Sequence, residues 1–457
     1  HLFSQPLSKE LAKTVAKNYY KKYAPEELKV LKNKHQARGA QKSASFYKAD
    51  RRLKKTYVKR YNNHVSYYVN TFKNGGFVIV SGHKAKGPVL VHSATGKYDP
   101  GNLPPVFVDL MKDYDKIIDV AFQNKAEDSG KLKQWNDLEQ DPTTQSVDTK
   151  SGSSSGTYPD YLLITEWGQS KTYDSQCPGY NSHPDIPSNS GCNCNHCSAG
   201  CVAVAISQIM NYWGFSKDWD ADFEWWYMPY PALISTDYDF QIEQAAVSYL
   251  LQRAGAEVNM SYCSGGCSSG AYTPSAVGVL DDFGYDGAMI DYINYNDYNY
   301  TGWVNKLEDE IINGRPVLYR YAGKHAFICD GFRSEVSYPY MEYEFHWNLG
   351  WNGNYNIWVD FDELLDYDNL SNHHCIIGIQ PDVNDEKTIS NYTIYSGNNR
   401  TYYVKNNIYA ETLVVQNDAK CTLIAGDEIQ LKAGFEVKQG AEFEARTYSD
   451  NMLHLIE

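Results

Sequence analysis

Residues 199–213 read AGCVAVAISQIMNYW, a continuous apolar run in which a cysteine directly follows a glycine. The run predicts a helix because its apolar residues fall on one broad face at helical spacing: Val202, Ala205, Ile206, Ile209, Met210 and Trp213. Gly214 can end this helix. Cys201 then stands at the N-terminus, where unpaired N–H groups and the helix dipole stabilise a thiolate and lower the thiol pKa. The stretch alone leaves Cys201 open as a core thiol, half of a disulfide or a nucleophile.

A nucleophilic cysteine needs a base, and His325 has the best context among the twelve histidines. In NGRPVLYRYAGKHAFICDGF (313–332) it follows a glycine turn between two strand-like runs, so it can face a cleft while its neighbours pack. In FHWNLGWNG (345–353), the Asn348 amide can accept the imidazole N–H and Trp351 can shield that bond from water. A structural histidine is the competing interpretation.

Taken together, these segments resemble the streptopain family of papain-like cysteine peptidases in order and in spacing. LITEWGQSKTYDSQCP (163–178) is similar to the opening of the family's mature enzyme, and GGFVIVSGHKAKGPVLVHSATGKYDPGNLPP (75–105) is similar to its propeptide. The resemblance covers most of residues 57–375. It implies an α+β fold class, in which an α+β inhibitory prodomain precedes a papain-like catalytic domain and a small all-β domain follows.

The resemblance also implies a role for each matching residue. Cys201 is expected to be the nucleophile and His325 its general base and acid. Gln169 and the Cys201 backbone N–H are expected to form the oxyanion hole, and Asn348 to orient the histidine. Further residues are expected to line the substrate site: Gly200, Ser269, Gly270, Ala326 and Trp351. A plain surface turn is the alternative for the loop around residues 268–270.

Two positions depart from the family pattern. The family usually has Asn-Trp-Gly-Trp where this chain has Asn348-Leu349-Gly350-Trp351, so one aromatic wall of the site is missing. In the propeptide segment an Asp commonly follows Ser-Gly, and His83 stands there instead.

A chain of 457 residues with 42% hydrophobic residues predicts two or three domains. The boundaries that we expect are 1–125 for the prodomain, 126–157 for an exposed activation linker, 158–382 for the peptidase domain and 383–457 for the β domain. Residues 1–125 hold 24 Lys and Arg against 9 Asp and Glu, whereas the remainder holds 18 against 47. The basic segment is therefore expected to dock on the acidic part of its own chain, not on nucleic acid.

All ten cysteines follow residue 176. In CNCNHC (192–197), three cysteines and His196 could hold zinc with Cys177, but the spacing is not a usual zinc knuckle, so disulfides or free thiols are favoured. Cys263 and Cys267 could close a tight loop. We expect no metal and no cofactor.

The sequence therefore predicts a bacterial cysteine endopeptidase made as a latent zymogen, acting on proteins or peptides and inhibited by its own prodomain. We expect it to be secreted, at the cell surface or periplasmic, because no apolar run reaches the length of a membrane span, and we expect any export signal to have been trimmed away. A thiol acyltransferase of the transglutaminase type and a non-catalytic surface binding protein are the alternatives.

Overall fold

A computed structural model describes residues 7–37, 44–124, 129–140, 161–214, 216, 223, 225–228, 231–236, 239–323, 325–337, 340–365, 373–382, 386–396, 399–404 and 406–447. Helices and strands are mixed throughout the first two predicted domains, which confirms the α+β class. Among the described residues, no helix combines the length and the apolar character needed to cross a membrane.

The N-terminal part is an antiparallel meander flanked by helices. Its elements are α1 (Lys9–Ala37), β1 (Leu53–Tyr61), β2 (His64–Phe72), β3 (Phe77–Ser81), β4 (Val89–Ser93), α2 (Pro105–Asn124) and α3 (Ser129–Glu139). α2 begins at a proline, where a missing N–H costs nothing, as the sequence predicts.

The middle part contains the predicted nucleophile and base. Its elements are α4 (Cys201–Trp213), α5 (Phe240–Glu257), β5 (Ser261–Gly265), β6 (Ser268–Gly270), α6 (Ala276–Asp282), β7 (Asp291–Asn294), α7 (Tyr300–Ile312), β8 (Val317–Tyr321), β9 (His325–Ser337), β10 (Tyr340–Asn348), β11 (Asn356–Asp360), α8 (Phe361–Leu365) and β12 (His373–Ile377). α4 confirms the predicted helix, and Gly214 ends it in the left-handed conformation with φ 59°.

One ten-stranded sheet joins these two parts, in the order β1-β2-β3-β4-β11-β10-β9-β8-β12-β7. The junction is an antiparallel pairing of β4 with β11, in which His92 lies opposite Trp358 and Val91 opposite Val359. The N-terminal part is therefore docked by backbone hydrogen bonds as well as by side chains.

The two faces of this sheet carry different cores. On one face, α2 and α7 pack against large buried aromatics, among them Tyr114, Trp303, Tyr319 and Trp347. On the other face, α4 and α5 pack over Leu318, Ala326 and Ile328, while α1 covers the N-terminal strands. Alternate residues of β8 and β9 point to opposite cores, as the period of a strand requires.

The structure corrects the predicted linker. Residues 129–139 form α3, whose Trp135 is fully buried against the core under α1 and donates its indole N–H to Lys86 O at 2.8 Å. The segment looked like a linker because it has few apolar residues, but Trp135 and the partly buried Leu138 pack against that core. The rest of the predicted linker, from residue 141 onward, lies outside the described residues.

The C-terminal strands are all parallel within two sheets. They are β13 (Glu386–Ile394), β14 (Asn399–Val404), β15 (Asn407–Val415), β16 (Lys420–Ala425), β17 (Glu428–Leu431), β18 (Glu436–Val437) and β19 (Glu442–Thr447). Glu386, Asn407 and Glu428 stack at a step of 21 residues, so the chain coils as a short solenoid. Leu431 and Val437, which the sequence places in the strand pattern, are 46% and 37% exposed on its last coil.

Candidate active site

Cys201 is the first residue of α4 and has intermediate exposure. The preceding Gly200 has φ 90°, and an added Cβ would lie 2.6 Å from the thioether of Met260. A glycine is therefore required there both by conformation and by space. The chain can therefore turn sharply into the helix, and the Cys201 side chain stays partly exposed.

The thiol lies among backbone donors, as a nucleophile at a helix end would. Burial raises its pKa, while the N–H groups of Ala326, Val202 and Cys201 act in the opposite direction. The expectation of a lowered thiol pKa is thus wrong for this form of the protein, because desolvation outweighs the helix end. Among the described residues, the groups that lower this pKa are backbone amides, not an imidazolium.

His325 opens β9, next to Ala326, and is contacted by the N-terminal part of the chain. Its Nε2 lies 4.0 Å from Oδ2 of Asp109, which projects from α2. Asp113, one turn further along α2, accepts a hydrogen bond from the Tyr321 hydroxyl, and Tyr321 is the cross-strand neighbour of His325. Two carboxylates of the basic N-terminal segment therefore engage the histidine and its neighbour.

Gln169 is brought to Cys201 by the main chain. Ala199 is two residues before Cys201, and its N–H donates a hydrogen bond to the Gln169 carbonyl at 2.8 Å. This bond holds the Gln169 backbone beside the segment that leads into Cys201. Trp167, in the same segment, donates its N–H to Gln208 Oε1 on α4 at 3.2 Å. The Gln169 backbone and the neighbouring Trp167 are thus held to the two ends of the Ala199–Gln208 stretch.

Asn348 is 1% exposed at the end of β10, and its described hydrogen bonds lie within the catalytic part. Its amide donates to Thr165 O at 2.7 Å and to Gln208 Oε1 at 3.2 Å, while its Oδ1 accepts the Gly350 N–H at 3.1 Å. Its predicted role in orienting His325 stays a prediction. Leu349, where the family has Trp, is buried in the aromatic core, and Trp351 packs partly buried against the same core.

Comparison with known proteins agrees with this arrangement. Residues 167–359 match the Peptidase C10 family, and residues 4–118 match the Spi protease inhibitor family. Streptopain from Streptococcus pyogenes serotype M28 is 27% identical over 320 residues, covering 63% of this chain and 71% of the relative, and streptopain from serotype M1 matches equally well. The chain is a streptopain-type C10 peptidase zymogen.

A solved structure supports the fold of this C10 zymogen. The prointerpain A fragment from Prevotella intermedia superposes with a TM-score of 0.51 at 21% identity, covering 71% of this chain and 99% of that one. The activity is that of a cysteine endopeptidase, and the N-terminal part is its propeptide-type inhibitor domain.

A small cross-linked hairpin of this C10 peptidase, β5–β6, lies beside the segment that leads into Cys201. Ser269 donates its N–H to Ser198 Oγ at 3.1 Å, and its own hydroxyl accepts the Cys263 N–H at 3.2 Å. Ser269 O lies 3.5 Å from the Cβ position of Gly200, and Gly270 faces open space. The structure therefore brings Ser269 next to Gly200 and the Ala326 N–H to the sulfur, while the place of Gly270 in the substrate site stays a prediction.

Disulfides account for every cysteine of CNCNHC. The pairs are Cys177–Cys194, Cys192–Cys267 and Cys197–Cys263. The zinc interpretation fails because its three thiol ligands and Cys177 are all consumed, and the loop expected between Cys263 and Cys267 is not closed by a bond between them. Two of the three bridges tie the β5–β6 hairpin to the segment that leads into Cys201.

Two further residues belong to the site and escaped sequence reasoning. Asp109 lies with Asp113 on one face of α2, four residues apart, which is the only pattern that could have drawn attention to it. Gln208 accepts hydrogen bonds from both Trp167 and Asn348, so it ties the segment that contains Gln169 to β10 from inside α4. His83, the other departure from the family, is 4% exposed and packs against Phe122 at 4.5 Å.

Proposed function

We propose that Cys201 is the nucleophile of this endopeptidase and that His325 is its general base and acid. The observation that carries the proposal is the position of Cys201, the first residue of α4, with the Ala326 N–H on its sulfur and His325 next along the strand. In the reaction, the thiolate attacks the peptide carbonyl and His325 protonates the leaving amine. Water activated by His325 then hydrolyses the acyl-enzyme.

The oxyanion formed in each step needs donors that are already in place. We assign this role to the Gln169 side-chain amide and the Cys201 backbone N–H, because Gln169 is fixed to Ala199 through its carbonyl. Asn348 is proposed to orient the imidazole once the enzyme is active. Gly200, Ser269, Gly270, Ala326 and Trp351 are proposed to line the substrate site.

Latency is proposed to depend on the contact between Asp109 and His325. A carboxylate beside the imidazole competes with the thiol for the histidine, and burial of the sulfur raises its pKa, so a reactive thiolate is disfavoured. Removal of α2 would free the histidine and rehydrate the cleft at the same time. Protein or peptide substrates would then replace the prodomain.

Activation is proposed to occur by cleavage between Gln140, where α3 has just ended, and Tyr161. Beyond this point the chain belongs to the catalytic part, because Asp330 accepts the N–H groups of Leu162 and Leu163 at 2.7 and 2.9 Å. We further propose that the enzyme is exported, consistent with three disulfides around its cleft. N-terminal sequencing of processed enzyme should give a first residue within 141–161.

Casein hydrolysis tests the assignment of the nucleophile. The full chain is expressed as wild type and as Cys201→Ala, its linker is cleaved by an added protease that is then inhibited, and casein hydrolysis is measured. The Cys421→Ala chain is the matched control, since Cys421 is a free buried thiol in the C-terminal solenoid. Wild type and Cys421→Ala should hydrolyse casein and Cys201→Ala should not; equal activity in all three would overturn the assignment.

A further inference from the structure

Arg320 differs from the other arginines of the catalytic part in its charge environment. Arg253, Arg315 and Arg333 each form an ion pair with a glutamate at 3.0 Å or less. Arg320 donates instead to the Tyr292 hydroxyl at 3.3 Å and to Gly323 O at 2.8 Å. Across the described part of the chain, no carboxylate pairs with it, although acidic residues are in large excess after residue 125.

The position of Arg320 in β8 places it beside the nucleophile. It is the cross-strand partner of Ala326, whose N–H reaches the Cys201 sulfur, and it shares a sheet face with Leu318, which packs on the core under α4. Adjacent strands lie about 4.8 Å apart. The Arg320 backbone therefore lies one strand away from Ala326, and its side chain leaves the sheet on the face that α4 covers.

Aromatic side chains form the surroundings of this guanidinium. Tyr292 stacks on His374 with ring centroids 5.6 Å apart, and His374 is the other cross-strand neighbour of Arg320. Tyr272, two residues after Gly270, is 71% exposed. It is close enough to Tyr292 to contribute to raising the pKa of that phenol, although burial is the main cause.

We propose that Arg320 determines substrate specificity by binding an acidic side chain of the substrate, within about two or three residues of the scissile bond at about 3.3 Å per extended residue. Two contacts occupy part of its five-donor fork, and the remaining N–H groups suit a carboxylate. This inference rests on the proposed function of Cys201 and His325.

Peptide kinetics test the inference. Quenched fluorescent peptides that differ only by Glu, Gln or Leu, placed in turn at the three positions on each side of the scissile bond, are hydrolysed by activated full-length enzyme. At one position Glu should exceed Gln in kcat/KM by about tenfold, as expected for a hydrogen bond to a charged group. That ratio should fall as salt is added.

Three variants separate recognition from structure. Arg320→Gln should bring the Glu to Gln ratio near one, while kcat on the Gln peptide stays within about threefold because His325 is untouched. Arg320→Lys should keep part of the preference, since a point charge replaces the fork. Lys306→Gln removes an exposed charge on α7, which packs on the opposite face of the sheet, and should leave the ratio unchanged.

The outcomes distinguish the two proposals. If wild type hydrolyses neutral peptides but shows no preference for Glu at any position, or if Arg320→Gln retains the preference, the assignment of Arg320 is wrong and the peptidase proposal stands. If wild type and variants hydrolyse no peptide after cleavage of the linker, the proposed function fails and the inference fails with it.

Discussion

The Asp109 carboxylate of the prodomain lies 4.0 Å from Nε2 of the proposed base, His325. Asp109→Asn keeps the size of the side chain but removes this charge. We expect the zymogen to lose part of its latency, so that iodoacetamide alkylates Cys201 several-fold faster than in wild type. The reason is that the imidazole becomes available to the thiol.

A matched control for this prediction lies on the same helix. Asp119 contacts Asn62, Gln123 and His64, all within the prodomain, so Asp119→Asn changes the same kind of charge away from the cleft. Alkylation in Asp119→Asn should match wild type. Equal rates in wild type and Asp109→Asn would show that latency rests on burial of the thiol alone.

At the scale of elements, the β5–β6 hairpin depends on its cross-links. The Cys197–Cys263 bridge closes a separation of 66 residues, which stabilises the fold by about 4 kcal/mol in the chain-entropy account. Replacing both cysteines by serine should lower Tm and also kcat/KM, because Ser198 and Ser269 lose the support that holds them beside Cys201. Thermal unfolding and peptide hydrolysis measure the two effects.

The bridge farthest from the hairpin provides the comparison. Cys177 and Cys194 are separated by 17 residues and do not involve β5 or β6, so their replacement by serine should lower Tm with a smaller loss of kcat/KM. A strong reductant should likewise reduce activity at concentrations that break the hairpin bridges. Full kcat/KM in the Cys197→Ser, Cys263→Ser double variant would contradict a positioning role for the hairpin.

Elements that depend on local sequence were predictable, and those that depend on distant partners were not. α4 and its end at Gly214 follow from apolar spacing, and α2 from its proline and its periodicity. α3 was missed because its docking depends mainly on the buried Trp135, and the solenoid was not foreseen because parallel pairing joins residues 21 apart. The disulfide partners, and the meeting of Asp109 with His325, are tertiary facts that spacing does not contain.

At the scale of the whole molecule, a buried ionic cluster joins the two domains. Tyr19, Glu27 and His92 come from the prodomain, and they meet Arg333 and Glu344 of the catalytic part. Glu27 bonds to His92 at 2.9 Å and to Arg333 at 3.0 Å. Release of the prodomain removes these surroundings, so the pKa values of His92 and Glu27 return towards their ordinary values.

Acid should therefore weaken docking in two stages. Burial lowers the pKa of His92 in the docked complex, so the released histidine binds a proton more readily. The docked complex therefore loses stability as the pH falls below about 6.5, the ordinary pKa of a histidine. Burial alone would raise the pKa of Glu27, but His92 and Arg333 lower it to about 2 in the docked complex. The released glutamate has an ordinary pKa of about 4.3, so the docked complex loses this part of its stability as the pH falls below about 4.3. The dissociation rate of the cleaved prodomain, followed from pH 8 to pH 3.5, measures both stages.

His92→Gln serves as the control for the first stage. It retains hydrogen bonding to Glu27 without titrating, so the change near pH 6.5 should disappear while the change at lower pH remains. A dissociation rate that is independent of pH between 8 and 5 in wild type would show that His92 does not couple protons to docking.

Salt should act on association more than on dissociation. The opposite charges of the two parts attract over distances at which ions screen strongly, since the Debye length is about 10 Å at 0.1 M. The contacts of the docked state are instead shielded from solvent. The Glu363 side chain is 3% exposed and pairs with Lys86 at 3.1 Å and with Lys131 at 3.3 Å, and the Arg333 side chain is 4% exposed.

Raising salt from 0.05 to 0.5 M should lower the rate at which the cleaved prodomain rebinds by about tenfold. Its dissociation rate should change by less than about twofold. Stopped-flow fluorescence of the cleaved complex measures both rates. If the dissociation rate rises with salt as steeply as the association rate falls, exposed charges, and not the shared sheet and its buried ion pairs, hold the prodomain in place.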